Sequence, residues 1–331
     1  MKSNLTFVEK GTRFLVNYSA LIVLAVLIVV FGTLSPSAFF SLNNLQNIFV
    51  QASPGGVVAL ALTITMIVGE FDLSVGYMAS LAGLLVFGFM VNHHDSFILS
   101  VFYSLGATSL LGLISGLIVS RLKVNAFIGT LGIGFVAVGI VYSFSNGALI
   151  TGKTPHIVDT LGLGSIIKIQ NLTLLWICCI AILWVVTERT PLGVHMRAIG
   201  GQARAAELVG LPVAKIRMWA FVCSAFLAGF GGIMLSMRLG SGQPNAGNGY
   251  LLDGFSATFL GRGFYRAGEF SVPGTVVGAL ILQVGYNGLA IIGMPTAAKY
   301  YFSGGTLVVA LALGTIAGSY HFKLNDRKRK K

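Results

Sequence analysis

Residues 57–90 read VVALALTITMIVGEFDLSVGYMASLAGLLVFGFM, two apolar stretches joined by a short acidic interruption. Taken to their full extents, 46–68 and 74–91, these runs approach or exceed the roughly 30 Å hydrocarbon core of a bilayer when coiled as helices rising about 1.5 Å per residue. The interruption, Val68-Gly69-Glu70-Phe71-Asp72-Leu73-Ser74-Val75-Gly76, carries two carboxylates. At a helix centre in the bilayer each would cost about 2.5–3.5 kcal/mol, so they must lie near an interface, line a cavity or have polar partners. The stretch predicts two membrane helices with a broken connection, not a soluble core.

The pattern continues in both directions. Apolar runs near 18–34, 97–119, 126–147, 172–187, 217–238, 270–292 and 300–317 bring the candidate crossings to nine. The 331-residue chain is 55% hydrophobic and only 10% charged, with a mean hydropathy of +0.85, whereas a soluble domain carries about 25% charged residues. Such a chain cannot cover a water-facing surface. We expect one all-α polytopic membrane domain over 1–331. Lys10 and Arg13 ahead of the first run imitate a secretory signal, but the many later spans favour an uncleaved first crossing.

The net charge of +12 is gathered in patches between apolar runs, not along an aromatic-studded face, which argues against nucleic acid as a partner. Positive flanks resist translocation, so the clusters at Lys2–Arg13, Arg121 with Lys123, Arg189–Arg217 and the basic tail 323–331 should face the cytoplasm. Four runs separate the first two clusters and two separate the next pair. The last interval holds three runs, and parity demands a fourth; the short apolar segment near 250–261, with Asp253 inside it, supplies it as a short or broken helix. The expectation is ten crossings with both termini cytoplasmic. Cys178, Cys179 and Cys223 lie in apolar runs and read as buried small hydrophobes. His93 and His94 are adjacent rather than i, i+4, so no metal site is expected there.

Two segments carry candidate function. In the acidic break, Ser74 reads as an N-cap for the following helix with Asp72 at its positive dipole end. The alternative is that Glu70, Asp72, Ser74 and Gly76 line a translocation path, as broken helices do in transporters, in which case Asp72→Ala would reduce transport without reducing membrane abundance. The second segment, 188–216, is the most polar between spans. Within it Gln202–Val209 predicts a small helix with Ala205 and Ala206 on one face, Gly210 as its stop and Pro212 beyond. About eight residues make a marginal helix in water, so a surface must hold it. Otherwise this is a connecting loop whose Arg197, Arg204, Lys215 and Arg217 are topological charges.

At these two places the chain resembles the permeases of ribose, xylose, arabinose and galactose ATP-binding-cassette importers, a family that includes autoinducer-2 permeases. Asp72-Leu73-Ser74-Val75-Gly76 matches the family's Gly-Gly-Ile-Asp-Leu-Ser-Val-Gly, with Glu70 and Phe71 departing from it. Ala198, Ile199, Gly200, Gly201, Ala205, Ala206 and Gly210 match its Ala-Ile-Gly-Gly-Asn-x-x-Ala-Ala-x-x-x-Gly loop, with Gln202 in place of asparagine. Gly116, Arg121, Phe127, Ile128, Thr130, Leu131 and Gly132 are also similar.

The resemblance implies a permease subunit in the bacterial inner membrane, paired with a second copy or paralogue. Its further partners would be a cytoplasmic ATP-binding subunit and a periplasmic or lipid-anchored sugar-binding protein. It implies that Gly200, Gln202, Arg204, Ala205, Ala206 and Gly210 form the element that couples to the ATPase. This chain lacks a Gly-x-x-x-x-Gly-Lys-Ser/Thr phosphate loop, so ATP and Mg belong to the partner and no cofactor is expected here. The rivals are an ion-coupled secondary transporter, for which Glu70 and Asp72 are the one close carboxylate pair, and a membrane-embedded enzyme. Pentoses, hexoses and autoinducer-like solutes fit the resemblance equally, with nucleosides or branched-chain amino acids next.

Overall fold

The computed structural model describes residues 7–262, 264–265 and 268–312, with 7–17 as backbone alone. The basic tail 323–331 and the end of the run 300–317 lie outside the described residues. In chain order the helices are α1 (Phe7–Leu34), α2 (Pro36–Phe39), α3 (Leu42–Ile67), α4 (Val75–Asn92), α5 (Phe97–Ser120), α6 (Ala126–Ser145) and α7 (His156–Leu163). A two-stranded hairpin, β1 (Ser165–Ile166) and β2 (Ile169–Gln170), is followed by α8 (Asn171–Arg189), α9 (Pro191–Leu208), α10 (Val213–Leu239), α11 (Tyr250–Leu260) and α12 (Val272–Ile291). A further helix, α13, occupies 297–312.

Among the described residues, α3, α4, α5, α6, α8, α10 and α12 are long and apolar enough to cross a membrane, and α1 adds the apolar stretch Tyr18–Leu34. The chain is thus an all-α polytopic membrane protein. The hairpin and α7 fall in a segment the apolar pattern left blank, since eight residues and two strand pairs give too little periodicity to read.

The chain forms two compact units, residues 49–254 and residues 1–48 with 255–331. In the larger, α4, α5 and α10 make the centre. Small residues allow the close approach: a Cβ on Gly116 of α5 would lie 2.8 Å from the Met218 carbonyl of α10, and one on Gly232 of α10 would collide with the Ala79 carbonyl of α4. Helix α6 runs parallel to α4, since Leu73 N donates to Thr130 Oγ1 at 2.9 Å, Gly134 faces the Tyr77 ring and Gly88 faces the Phe144 ring. Helices α5, α6 and α8 turn most of their apolar surface outward, whereas α4 and α10 are largely enclosed.

That outward surface corrects the reading of the cysteines. Cys178 on α8 and Cys223 on α10 are exposed and Cys179 is half-buried. Lipid is itself an apolar solvent, so an apolar side chain there need not be enclosed by protein.

In the smaller unit, Phe31, Phe39, Ile48 and Val284 form an apolar cluster joining α1, α2, the start of α3 and α12. Beside it the amides of Asn44 and Asn287 exchange hydrogen bonds of 3.1 and 2.8 Å. Helix α11 supplies Ala257, whose carbonyl a Cβ on Gly278 of α12 would strike.

Candidate functional site: the helix break and the kinked helix packed on it

The connection between α3 and α4 turns on Gly69, whose φ of +82° lies in the left-handed region that glycine adopts without penalty. Asp72 follows, 1% exposed. Its Oδ1 accepts from Ser74 N at 3.0 Å and from the Ser74 hydroxyl at 2.5 Å, and its Oδ2 accepts from Ser224 Oγ of α10 at 2.8 Å. Ser74 is the N-cap by position, but its hydroxyl makes no cap bond to the helix. Asp72 instead holds the N-cap residue itself, taking the Ser74 N–H and hydroxyl together on one carboxylate oxygen, so the expected cap bond from Ser74 to the helix is not made. Both oxygens of Asp72 are engaged by protein, which is how a carboxylate is tolerated among apolar helices.

Glu70 is paired as well: Arg217 Nη1 lies 2.9 Å from its Oε1, both side chains being largely enclosed. A sequence in which acidic residues number 10 against 22 basic ones contained the signal, because a carboxylate in an apolar chain calls for a cation. What it lacked was the fold that carries the start of α10 to the break.

The expected loop 188–216 is almost entirely helical. Helix α9 is two helices joined at Gln202, whose φ of −157° and ψ of 91° are extended. The second piece ends where expected, with Gly210 at φ +86°. The first piece was not legible, because Gly193, Gly200 and Gly201 are weak helix formers. It is held instead by tertiary contacts: Arg197 pairs with Glu188 and donates to the Thr187 carbonyl, both at the end of α8.

Gly200 ends that first piece against the break itself. A Cβ there would collide with the Ile67 carbonyl, and one on Gly69 would sit 3.2 Å from the Gly200 Cα. The two segments singled out in the sequence are therefore one site, with backbone packed directly on backbone. Beyond the kink, Arg204 is exposed and pairs with Glu207 at 3.0 Å, Ala206 is buried, and Leu208 and Val209 are 76% and 77% exposed. Gly76, in the first turn of α4, is buried on the other side of the break, beneath the backbone of Gly247 and Asn248.

Comparison with known proteins gives this geometry its context. Residues 44–311 match the family described as branched-chain amino acid transport system / permease component. The ribose import permease protein RbsC of Escherichia coli K12 is 35% identical over 292 residues, covering 87% of this chain and 89% of its own. That of Haemophilus influenzae is 33% identical over 306 residues, covering 91% and 93%. The L-arabinose ABC transporter permease protein AraH of Azospirillum brasilense is 29% identical over 303 residues, covering 91% and 88%. No solved structure matches significantly. The chain belongs to this permease family, as the multi-pass membrane subunit of an ATP-binding-cassette importer and not an enzyme.

Proposed function

We propose that the chain forms half of the path by which a monosaccharide, ribose or a related sugar, enters the cell, and that the 188–216 segment is the cytoplasmic input to that path. The observation that carries the coupling is the contact of Gly200 with Ile67 and Gly69. Displacing α9 must displace the α3–α4 connection, since neither backbone can yield. The partners are a second permease copy or paralogue, a cytoplasmic ATP-binding subunit that supplies ATP and Mg, and a sugar-binding protein outside the membrane. Ribose is favoured because the relatives above are named for ribose and arabinose.

ATP binding closes the ATPase pair, and closure pulls the second piece of α9. The kink at Gln202 sets its angle to the first piece, whose Gly200 end transmits the pull to Glu70, Asp72, Ser74 and Gly76. Energy enters as preferential binding of ATP to the closed arrangement, which shifts the permease population.

The crossings are α1, α3, α4, α5, α6, α8, α10, the stretch 240–260, α12 and α13, ten in all over one permease domain, with both termini cytoplasmic. The tenth is half a chain of turns and half helical. In the larger unit a Cβ added to Gly242 would lie 3.0–3.2 Å from Phe87 and Leu84, Gly247 packs on Gly76, Ala79 and Ser80, and Tyr250 packs on Gly55. The chain thus descends beside α4 before α11 begins.

The test is reconstitution of the chain with its ATPase in proteoliposomes with binding protein outside. Uptake of labelled D-ribose should require internal ATP and persist when the membrane potential is collapsed. Loss of uptake on collapsing the potential would favour ion coupling. Copurification of the ATPase with a chain lacking Gln202–Gly210, with uptake intact, would refute the coupling assignment.

A further inference from the structure

Between Leu239 and Tyr250 the chain reads Gly-Ser-Gly-Gln-Pro-Asn-Ala-Gly-Asn-Gly, polar and without a formal charge. It is non-helical over nearly its whole length yet lies at membrane depth. Gly242 packs against Leu84 and Phe87 just past the midpoint of α4, and Gly247 against Gly76, Ala79 and Ser80 in its first turns. At about 1.5 Å per residue that is a descent of roughly 12 Å. The pairings of Tyr77 with Gly134 and of Gly88 with Phe144 put Gly247 level with the middle of α6. Irregular polar backbone at such depth is tolerated only inside protein or along a water-filled cavity. Gly247 is buried, but Asn245 and Gly249 are exposed.

The exposed amides face a particular surface. Asn245 Nδ2 donates to the Tyr142 hydroxyl at 3.2 Å, Asn248 Nδ2 donates to Asn245 Oδ1 at 3.2 Å, and Ser80 Oγ donates to Asn248 Oδ1 at 3.0 Å. Seven residues before Tyr142 on the same face of α6 stands Phe135, 61% exposed and stacked on Tyr77 with ring centroids 5.9 Å apart. Between Phe135 and Tyr142 is Gly139, where an added Cβ would meet nothing within 4 Å. The result is a notch with aromatic rings at either end, a bare backbone floor and an amide–hydroxyl chain along its edge.

We propose that this notch, formed by Phe135, Gly139, Tyr142 and Asn245 with Asn248 and Tyr77 behind them, contacts the solute during passage and is built for a neutral polyol. Amides and a phenol offer donors and acceptors to hydroxyl groups, and the rings offer apolar faces to C–H bonds. None of the six notch residues carries a formal charge to neutralise the termini of a free amino acid, the nearest in sequence being Arg238 and Asp253 on either side of the run, which favours a sugar over the amino acids of the family's description. Gly76 lies under Gly247 and Asn248, so the notch shares backbone contacts with the helix break that α9 touches. The proposal rests on the importer reading for its sugar, whereas the water exposure of Asn245 does not.

Two measurements in the complete transporter, reconstituted with its ATPase and binding protein, test it. In a background with Cys178, Cys179 and Cys223 replaced by serine, Asn245→Cys should react with a membrane-impermeant thiol reagent, and saturating D-ribose with binding protein should slow the reaction at least threefold. Gly139→Leu adds a side chain at a position where its Cβ has open space, and should cut ATP-dependent uptake of labelled D-ribose at least tenfold. Uptake by Gly139→Leu at the wild-type rate, or an Asn245→Cys that never reacts, overturns the proposal. If the wild type takes up no ribose while Asn245→Cys reacts without protection, the sugar reading of the importer falls and the polyol assignment with it. Ribose uptake by the wild type together with unprotected labelling overturns the notch alone.

Discussion

Asp72 shows what one buried carboxylate does in an apolar setting. It accepts three hydrogen bonds, and two of its donors, the Ser74 hydroxyl and the Ser224 hydroxyl, are themselves fully enclosed. Asp72→Ala would leave those donors without their acceptor, and each buried unsatisfied group costs about 1–3 kcal/mol. We expect the alanine variant to accumulate in the membrane at a fraction of the wild-type level and to melt several degrees lower in detergent, with Asp72→Asn intermediate. Wild-type abundance of Asp72→Ala with transport lost would instead favour direct contact with the path. Gly200 makes a steric counterpart: Gly200→Val drives a branched side chain into the Ile67 carbonyl. Overpacking of this kind costs about 1–3 kcal/mol. Here its expected signature is functional, with sugar uptake per ATP hydrolysed falling several-fold when both are measured in proteoliposomes.

Among the elements, α9 carries the clearest separation of stability from function. Its first piece is tied down by Arg197, Glu188 and Gly200, while its second ends in Leu208 and Val209, both mostly exposed. An exposed apolar pair at the end of a helix contributes little to folding, so Leu208→Glu should shift thermal stability by less than about 0.5 kcal/mol. The same change should abolish copurification of the ATPase, because it places a charge in the centre of the proposed docking face. The stop of this helix was legible because Gly210 and Pro212 are local signals that need no tertiary structure. The first piece was not, since its glycines oppose helix and its support comes from α8. For the same reason the acidic break was visible but its partners were not: Ser224, Arg217 and Thr130 lie 57–152 residues away in sequence, in unremarkable apolar helices, and only the packing of α4 with α6 and α10 brings them to it.

For the whole molecule, apolar run length found the long helices, because a bilayer asks for that one property, and charge parity asked for one crossing more. What neither supplied was the form of that crossing. The run 240–249 has the composition of a surface loop, and its depth follows only from Gly242 and Gly247 lying along α4. This makes topology a direct test of the architecture. Ile167, 90% exposed at the hairpin tip, and Leu208, 76% exposed, are separated by α8 as the one long apolar helix between them. A cysteine at 167 should therefore react with an impermeant maleimide in intact cells and a cysteine at 208 only after permeabilisation. From Leu208 to the C-terminus the chain passes α10, the 240–260 stretch, α12 and α13. Four crossings return it to the cytoplasm and three would leave it outside. A C-terminal tag protected from external protease until the membrane is opened is the expected result, and a tag cleaved in intact spheroplasts would mean that this part-turn, part-helical stretch enters and leaves by the same side.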